Sequence, residues 1–232
     1  MNFGKLLRAS MRPAYWPALA RGVVPTLEHA PVLAGINPAT VIDVGANKGQ
    51  FSTFAAVRWP AARLIAFEPL SEPAQRYRAV LGTRATLHAC ALGARRDRMT
   101  MHVATRADSS SLLELGELQK STFGMEESAT VTVDVRRLDD VIGADAAGPA
   151  LLKIDVQGYE YEVLEGLGEL TARVEWVFVE TSFVELYKGQ RLFGDVADLL
   201  ARLGYHQIRE ANQSVAADQK IQADILFARH AL

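Results

Sequence analysis

Residues 40–51 read TVIDVGANKGQF. The run TVIDVG (40–45) is apolar, rich in β-branched residues and closed by glycine, the pattern of a parallel strand buried on both faces. QFSTFAAVRW (50–59) follows with Phe51, Phe54, Ala55 and Arg58 on one helical face. The chain therefore leaves a buried strand, turns at Gly45 and enters a helix within a few residues. A strand, glycine loop and helix in this order build half of an open α/β sheet, whose ligand side lies at the carboxyl ends of the strands.

The alternation continues outward from this unit. RLIAFEP (63–69) reads as a second strand ended by Pro69, and SEPAQRYRAVL (71–81) as a helix with Ser71 at its N-cap. ATLHACALG (85–93) reads as a third strand. RMTMHVATR (98–106) and ATVTVDVRRL (129–138) then alternate polar and apolar residues, as half-exposed antiparallel strands do. Between them, 107–128 is rich in Ser, Glu and Gly and reads as a lid-like loop. ALLKIDV (150–156), VEWVFVETS (174–182) and the helices GYEYEVLEGL (158–167) and FGDVADLLARLG (193–204) resume the βα rhythm. YHQIRE (205–210) and QADILFAR (222–229) have no helix between them and are expected to form an antiparallel edge hairpin. The expected fold is α/β, a Rossmann-like, mostly parallel sheet with helices on both faces. Its expected organisation is an N-terminal helical flap (1–38) and one domain (39–232), with an inserted hairpin and loop near 98–138.

Composition sets the outer bounds. The chain has 232 residues, 49% apolar and 22% charged, with a formal charge of −2. That balance is globular, and it argues against disorder, a coiled coil or a general nucleic-acid binder. One cysteine, Cys90, excludes an intrachain disulfide and multi-cysteine zinc sites. A reducing cytoplasm is the simplest location. No apolar run approaches the roughly 18 residues of a membrane span. Arg8, Arg12 and Arg21, with Pro13, Pro17 and Pro25, interrupt the N-terminal stretch, so no signal peptide is read there. In that stretch the basic residues with Tyr15, Trp16 and Leu19 could form a small amphipathic surface.

The glycine loop carries the first chemical signal. Glu68 ends the second strand about 20 residues after Gly49, where an acidic side chain accepts hydrogen bonds from ribose hydroxyls. A dinucleotide fingerprint would need glycines where Asn47 and Gln50 stand. Asp43-x-Gly45-x-x-x-Gly49 is instead the pattern associated with S-adenosylmethionine. Asp43 could there reach the ligand's ammonium or an ordered water. A nicotinamide oxidoreductase is accordingly disfavoured.

DVGANKGQF, FEP, CALG, DSSSL and LKIDVQGYE occur in this order, followed by VFVETSFVELYKGQ and QADILF. Over about 40–229 the chain thus resembles the FkbM family of S-adenosylmethionine-dependent methyltransferases. The resemblance implies a class I methyltransferase fold, with seven strands of which the last is antiparallel. It implies O-methylation, often of sugars in glycolipids, polysaccharides or secondary metabolites. It also implies cofactor contacts from Gly45, Asn47, Gly49, Gln50 and Glu68, with Ala91 and Leu92 flanking the adenine; Asp43, Ala46, Phe51 and Pro69, in the same two motifs, are expected to join them. Cys90-Ala91 supplies no acid for the adenine amine, so Asp108 or Ser110 of the DSSSL loop is the expected substitute.

Asp155 ends a strand beside the point where strand order should reverse, which is where open sheets bind ligands. Methyl transfer needs an aligned acceptor oxygen whose proton leaves as the new bond forms. Asp155 is the first candidate for that task, against the alternatives of capping the next helix or holding the cofactor ammonium. Glu180 ends VEWVFVE and should sit on the neighbouring strand. Two such acids could hold a divalent cation, grip sugar hydroxyls or share a proton. No histidine completes a ligand set, so a metal is not expected. His88, His102 and His206 read as ordinary strand residues, and Glu160 as a structural acid in a first helical turn. Tyr187, Asn212 and Asp224 are candidate acceptor contacts, Tyr187 by stacking on a sugar face. The expected partner is a small molecule or glycoconjugate. Other readings are N-methylation, methylation of a non-sugar hydroxyl and a non-catalytic cofactor-binding module. The oligomeric state stays open, a homodimer included.

Overall fold

A computed structural model describes residues 3–143, 146–216 and 218–230. Its strands are β1 (Thr40–Val44), β2 (Arg63–Phe67), β3 (Ala85–His88), β4 (Ala91–Leu92), β5 (Asp97–Ala104), β6 (Glu127–Arg136), β7 (Ala150–Ile154), β8 (Val174–Ser182), β9 (His206–Ala216) and β10 (Gln219–Ala228). Its helices are α1 (Phe3–Ser10), α2 (Trp16–Leu19), α3 (Gln50–Arg58), α4 (Ser71–Leu81), α5 (Glu117–Phe123), α6 (Leu138–Ile142), α7 (Glu160–Glu165) and α8 (Phe193–Arg202). Seven strands form one sheet in the order β3-β2-β1-β7-β8-β10-β9. The first five run parallel, and β10 pairs antiparallel with both β8 and β9. This is the class I methyltransferase architecture.

The apolar strands are buried because both faces of the sheet are covered. Ile42 and Val44 of β1 pack with α6, α7 and α8, whereas Val41 packs with α3, α4 and the 32–36 segment. The side-chain period of two thus divides one strand between two cores. Ile42, Leu152 and Ile154 are fully buried, each stabilising the fold by about 1.5–3 kcal/mol. Leu152→Ala would leave a cavity and cost about 2–5 kcal/mol.

Strand order reverses between β1 and β7. Asp155 N–H donates to the Val44 carbonyl at 3.1 Å, so the loops leaving these two strands touch. A Cβ on Gly45 (φ +75°) would run into the Asp155 carbonyl oxygen. Glycine is required there by space and by backbone angle together.

Three elements differ from the sequence reading. The 85–93 run is not one strand: β3 stays in the main sheet, and β4 leaves it to pair with β6 in a small sheet ordered β4-β6-β5. Residues 107–128 are not simply a loop, because α5 lies within them and Leu115 bridges to Tyr187. The final hairpin is longer at its turn end than the two short runs suggested. Asn212 consequently lies inside β9, at φ +48°, beside a register shift in the β9–β10 pairing.

Candidate active site

The loop after β1 and the end of β2 form one wall of a cavity at the carboxyl edge of the sheet. Glu68 anchors it. Its Oε2 accepts from Asn47 N–H and its Oε1 from Leu70 N–H, each at 2.8 Å. Burial pushes its carboxyl up to about 7, and those two backbone donors oppose the rise. Each oxygen keeps a further lone pair for a ligand hydroxyl. Asn47 Oδ1 and Gln50 Oε1 are buried in the same wall with no hydrogen-bond partner. Unpaired acceptors this well buried are costly, and a cationic ligand group would satisfy them. Gly45, Ala46, Phe51 and Pro69 complete this wall, and Ala91, Leu92 and Ser110 lie across from it.

Two residues expected at the cofactor stand elsewhere. Asp43 is 1% exposed and is not among the residues that line this cavity. Ser52 Oγ donates to it at 2.7 Å, and Lys153 Nζ lies 3.3 Å away. Ser52 and Lys153 thus hold it beneath the loop. Gly49 (φ +90°) packs against α4, where a Cβ would come within 2.8 Å of Leu81 Cδ2 and 3.1 Å of Tyr77 Cδ2. The close approach of α3 to α4 leaves no room for a side chain there.

Lys153 points up from β7 between two acids, 3.3 Å from Asp43 and 3.5 Å from Asp155. Burial pulls its ammonium down, but those carboxylates more than offset this, so its pKa is raised and the charge stays. It donates to the Gly45 carbonyl at 3.3 Å, tying the glycine loop to β7.

Asp155 and Glu180 stand on adjacent strand ends. Gln157 Nε2 lies 2.8 Å from Asp155 Oδ1 and 2.8 Å from Glu180 Oε2. The Tyr187 hydroxyl lies 2.8 Å from Gln157 Oε1, and Gln119 Nε2 donates to that hydroxyl at 3.1 Å. Tyr187 is fully buried, so its expected stacking on an acceptor ring is ruled out. It holds the site from below. Burial drives the Glu180 carboxyl well above its ordinary pKa, with Asp155, Asp224 and Glu160 adding repulsion. Glu160 accepts from the N–H groups of Val156 and Gly158 at 3.0–3.2 Å and fixes the loop that carries Gln157. Its own carboxyl is pushed up to about 7 by burial.

Two further cavities meet the first. One is lined by His29, Glu180, Asn212 and Asp224 among others, the second by Gln119, Phe123, Gln157 and Gln222 among others. Asp155 lines all three, the only described residue to do so. In the first of them, Asn212 Nδ2 donates to Asp224 Oδ2 at 2.6 Å, and His29 Nε2 lies 3.3 Å from the same oxygen. The His29 ring sits between Phe51 and Phe178, with centroids at 5.7 and 5.0 Å. Its Nδ1 is buried without a partner. Among the described residues, no group of three or more His, Cys, Asp or Glu is placed to hold a metal ion.

Sequence reasoning missed His29, Lys153 and Gln157. Lys153 had a usable signal, a lone charge inside the apolar run ALLKIDV. Gln157 directly precedes a glycine, and both residues take positive φ. His29 lies in a short turn before the first strand, outside any period.

The family model described as "Methyltransferase FkbM domain" matches residues 43–206. The antimetabolite synthetase AmbE of Pseudomonas aeruginosa is 34% identical over 175 residues, 61% of this chain and 8% of that protein. The 2-O-methyltransferase NoeI of Sinorhizobium fredii is 29% identical over 170 residues, 69% of this chain and 70% of its own length. The crystal structure of methyltransferase FkbM from Methylobacillus flagellatus matches with a TM-score of 0.52 at 16% identity, covering 90% of this chain and 50% of that one.

Proposed function

The chain belongs to the FkbM methyltransferase family, and from that premise we propose that it transfers a methyl group from S-adenosylmethionine to a hydroxyl of a sugar or glycosylated metabolite. The observation that carries this reading is the position of Asp155, where the cavity walled by the glycine loop and Glu68 meets the two polar ones.

The residues present fit the cofactor. Glu68 offers free lone pairs to a ribose diol, and Ala91, Leu92 and Met101 give an apolar seat for the adenine. Asn47 Oδ1 and Gln50 Oε1 are unpaired acceptors suited to the ammonium. Bound there, S-adenosylmethionine supplies an electrophilic methyl on a sulfonium. Asp155 accepts the acceptor's O–H and takes its proton as the carbon–oxygen bond forms. Gln157 and Lys153 hold that carboxylate in place. The neighbouring carboxylates and amides of Glu180, Asn212, Asp224 and Gln222 suit a polyhydroxylated acceptor. The name of NoeI, a 2-O-methyltransferase, supports a hydroxyl acceptor. A cytoplasmic location fits the single unpaired cysteine.

The test is transfer of labelled methyl from S-adenosylmethionine into fractionated extract of the source cell. Label in a glycolipid, polysaccharide or glycosylated metabolite supports sugar O-methylation. Label confined to protein, nucleic acid or amines overturns the acceptor reading and leaves the family assignment standing.

A further inference from the structure

The N-terminal segment has two unlike faces. Ala9, Tyr15 and Ala18 are buried against the body of the protein. Leu7 (56% exposed), Met11 (76%) and Trp16 (57%) point outward, although three of the largest apolar side chains in so short a span would ordinarily be buried. They belong to one patch. Leu7 and Met11 are one helical turn apart, and Trp16 Nε1 donates to the Ser10 carbonyl at 2.9 Å, which brings the indole against the end of α1. Arg8, Arg12 and Arg58 line a groove with Met11 and Tyr15. Lys5 Nζ is paired with Glu28 Oε1 at 2.6 Å, so the three arginines carry the patch's charge, and no acidic residue precedes Glu28 in the sequence. The rest of the molecule must then carry net negative charge, since the whole chain stands at −2.

We propose that this basic, aromatic patch seats the protein on an anionic membrane surface, its apolar side chains entering the interface and its arginines meeting lipid phosphates. Three physical points favour that occupant. Tryptophan and arginine at the rim of an aliphatic stripe suit the headgroup boundary, where an apolar body and a polar edge are both satisfied. A second copy of this chain is a poor fit, because a two-fold contact would set arginine against arginine. Nucleic acid would use the cations and leave Leu7 and Met11 with nothing to bury them. Attachment here also has a consequence for the site. Leu27 faces the basic groove, while its neighbours Thr26 and His29 line the cofactor cavity. A lipid-linked acceptor would emerge beside the catalytic carboxylates. The docking itself does not depend on which acceptor is methylated.

The test is flotation of the full chain with phosphatidylglycerol–phosphatidylcholine vesicles against phosphatidylcholine alone, at low and high salt. The expected result is capture by the anionic vesicles only, released by salt as screening sets in. Arg8→Glu/Arg12→Glu and Met11→Ser/Trp16→Ser should each reduce bound protein by at least about tenfold. Val215→Ser, which removes an equally exposed side chain on β9, should not. Unchanged melting curves and S-adenosylhomocysteine affinity show that the variants are folded. No capture by anionic vesicles overturns the proposal, as does equal capture by neutral ones. An oligomer dispersed by Trp16→Ser, without vesicle binding, assigns the patch to self-association instead. Vesicle-free capture of the wild type alone by an acidic polypeptide, with no lipid binding, assigns it to a protein partner.

Discussion

Asp155 and Glu180 share one hydrogen-bond donor, the side-chain amide of Gln157, which lies 2.8 Å from an oxygen of each. Two carboxylates this close repel one another, and the neutral amide places a proton toward each. Turned over, the amide would set its oxygen against both carboxylates, so these acids, with the Tyr187 hydroxyl 2.8 Å from Oε1, fix its orientation. The two carboxylates are therefore aligned by Gln157, which the fully buried Tyr187 holds from beneath.

Gln157→Leu removes that tether while keeping much of the volume. Turnover should fall by roughly 10–100-fold, since small misplacements of a reacting group carry losses of that size. Affinity for S-adenosylhomocysteine should stay within about threefold, because Asp155 and Glu180 are not what the adenosine half requires. Steady-state kinetics and calorimetry read the two effects separately. Equal loss in both would mean that Gln157 shapes the cavity rather than the carboxylates.

Asp155→Ala and Asp155→Asn should both reduce turnover by about 10²–10⁴-fold with cofactor binding largely intact. The asparagine variant is the sharper of the two. It keeps the shape and the contact to Gln157 but cannot accept a proton. Full turnover in Asp155→Asn would assign the proton to another group.

Glu68 and Glu160 are both raised from 4.5 to about 7 by burial. A carboxyl raised in the folded state holds its proton more tightly there than in the unfolded chain. Its stabilising contribution is complete below pH 4.5 and is lost as pH rises through about 7. Each group contributes up to about 3 kcal/mol in that sense. The ligand-free protein should therefore melt at lower temperature at pH 8 than at pH 5.5, Glu180 adding to the trend. Glu160→Gln mimics the protonated acid. It should flatten the slope and melt no lower than wild type at pH 8. A steeper slope in Glu160→Gln would contradict the assignment.

Gly45 shows how far the sequence could be read. A glycine closing a buried strand announced the turn, the helix and the ligand side together, because period, β-branching and glycine all agree there. Gly45→Ala should abolish soluble protein or cofactor binding, since its Cβ meets backbone that cannot yield. Gly49→Ala meets the movable end of Leu81 instead and should cost about 1–2 kcal/mol with binding retained. The sequence did not distinguish these two glycines, because the difference lies in which distant chain passes by. The stacking role expected of Tyr187, and the surroundings of Asp43, were hidden for the same reason. Their residue types suited a ligand, but Lys153, Gln157 and Gln119 engage them through contacts far apart in sequence. The strand break after His88 was also hidden, since both pieces of 85–93 are apolar and only their partners differ.

His29 and Asp224 provide the last test, because both lie outside the family-matched segment and yet meet at the site. His29 precedes residue 43 and Asp224 follows residue 206. Their side chains nevertheless meet at 3.3 Å on the wall that separates the cofactor cavity from an acidic one. Asn212 fixes the carboxylate, and two phenylalanine rings fix the imidazole. If the pair steadies the acceptor hydroxyl or relays its proton, His29→Gln and Asp224→Asn should each lower turnover by at least about tenfold. The double variant should be hardly worse than either alone, because residues acting as one unit give non-additive losses. S-adenosylhomocysteine affinity should change little in all three. A packing role predicts another pattern: a lower melting temperature in His29→Gln from the disturbed Phe51 and Phe178 contacts, with turnover per folded molecule unchanged. Additive losses in turnover would separate the two residues, leaving each to contact the acceptor independently.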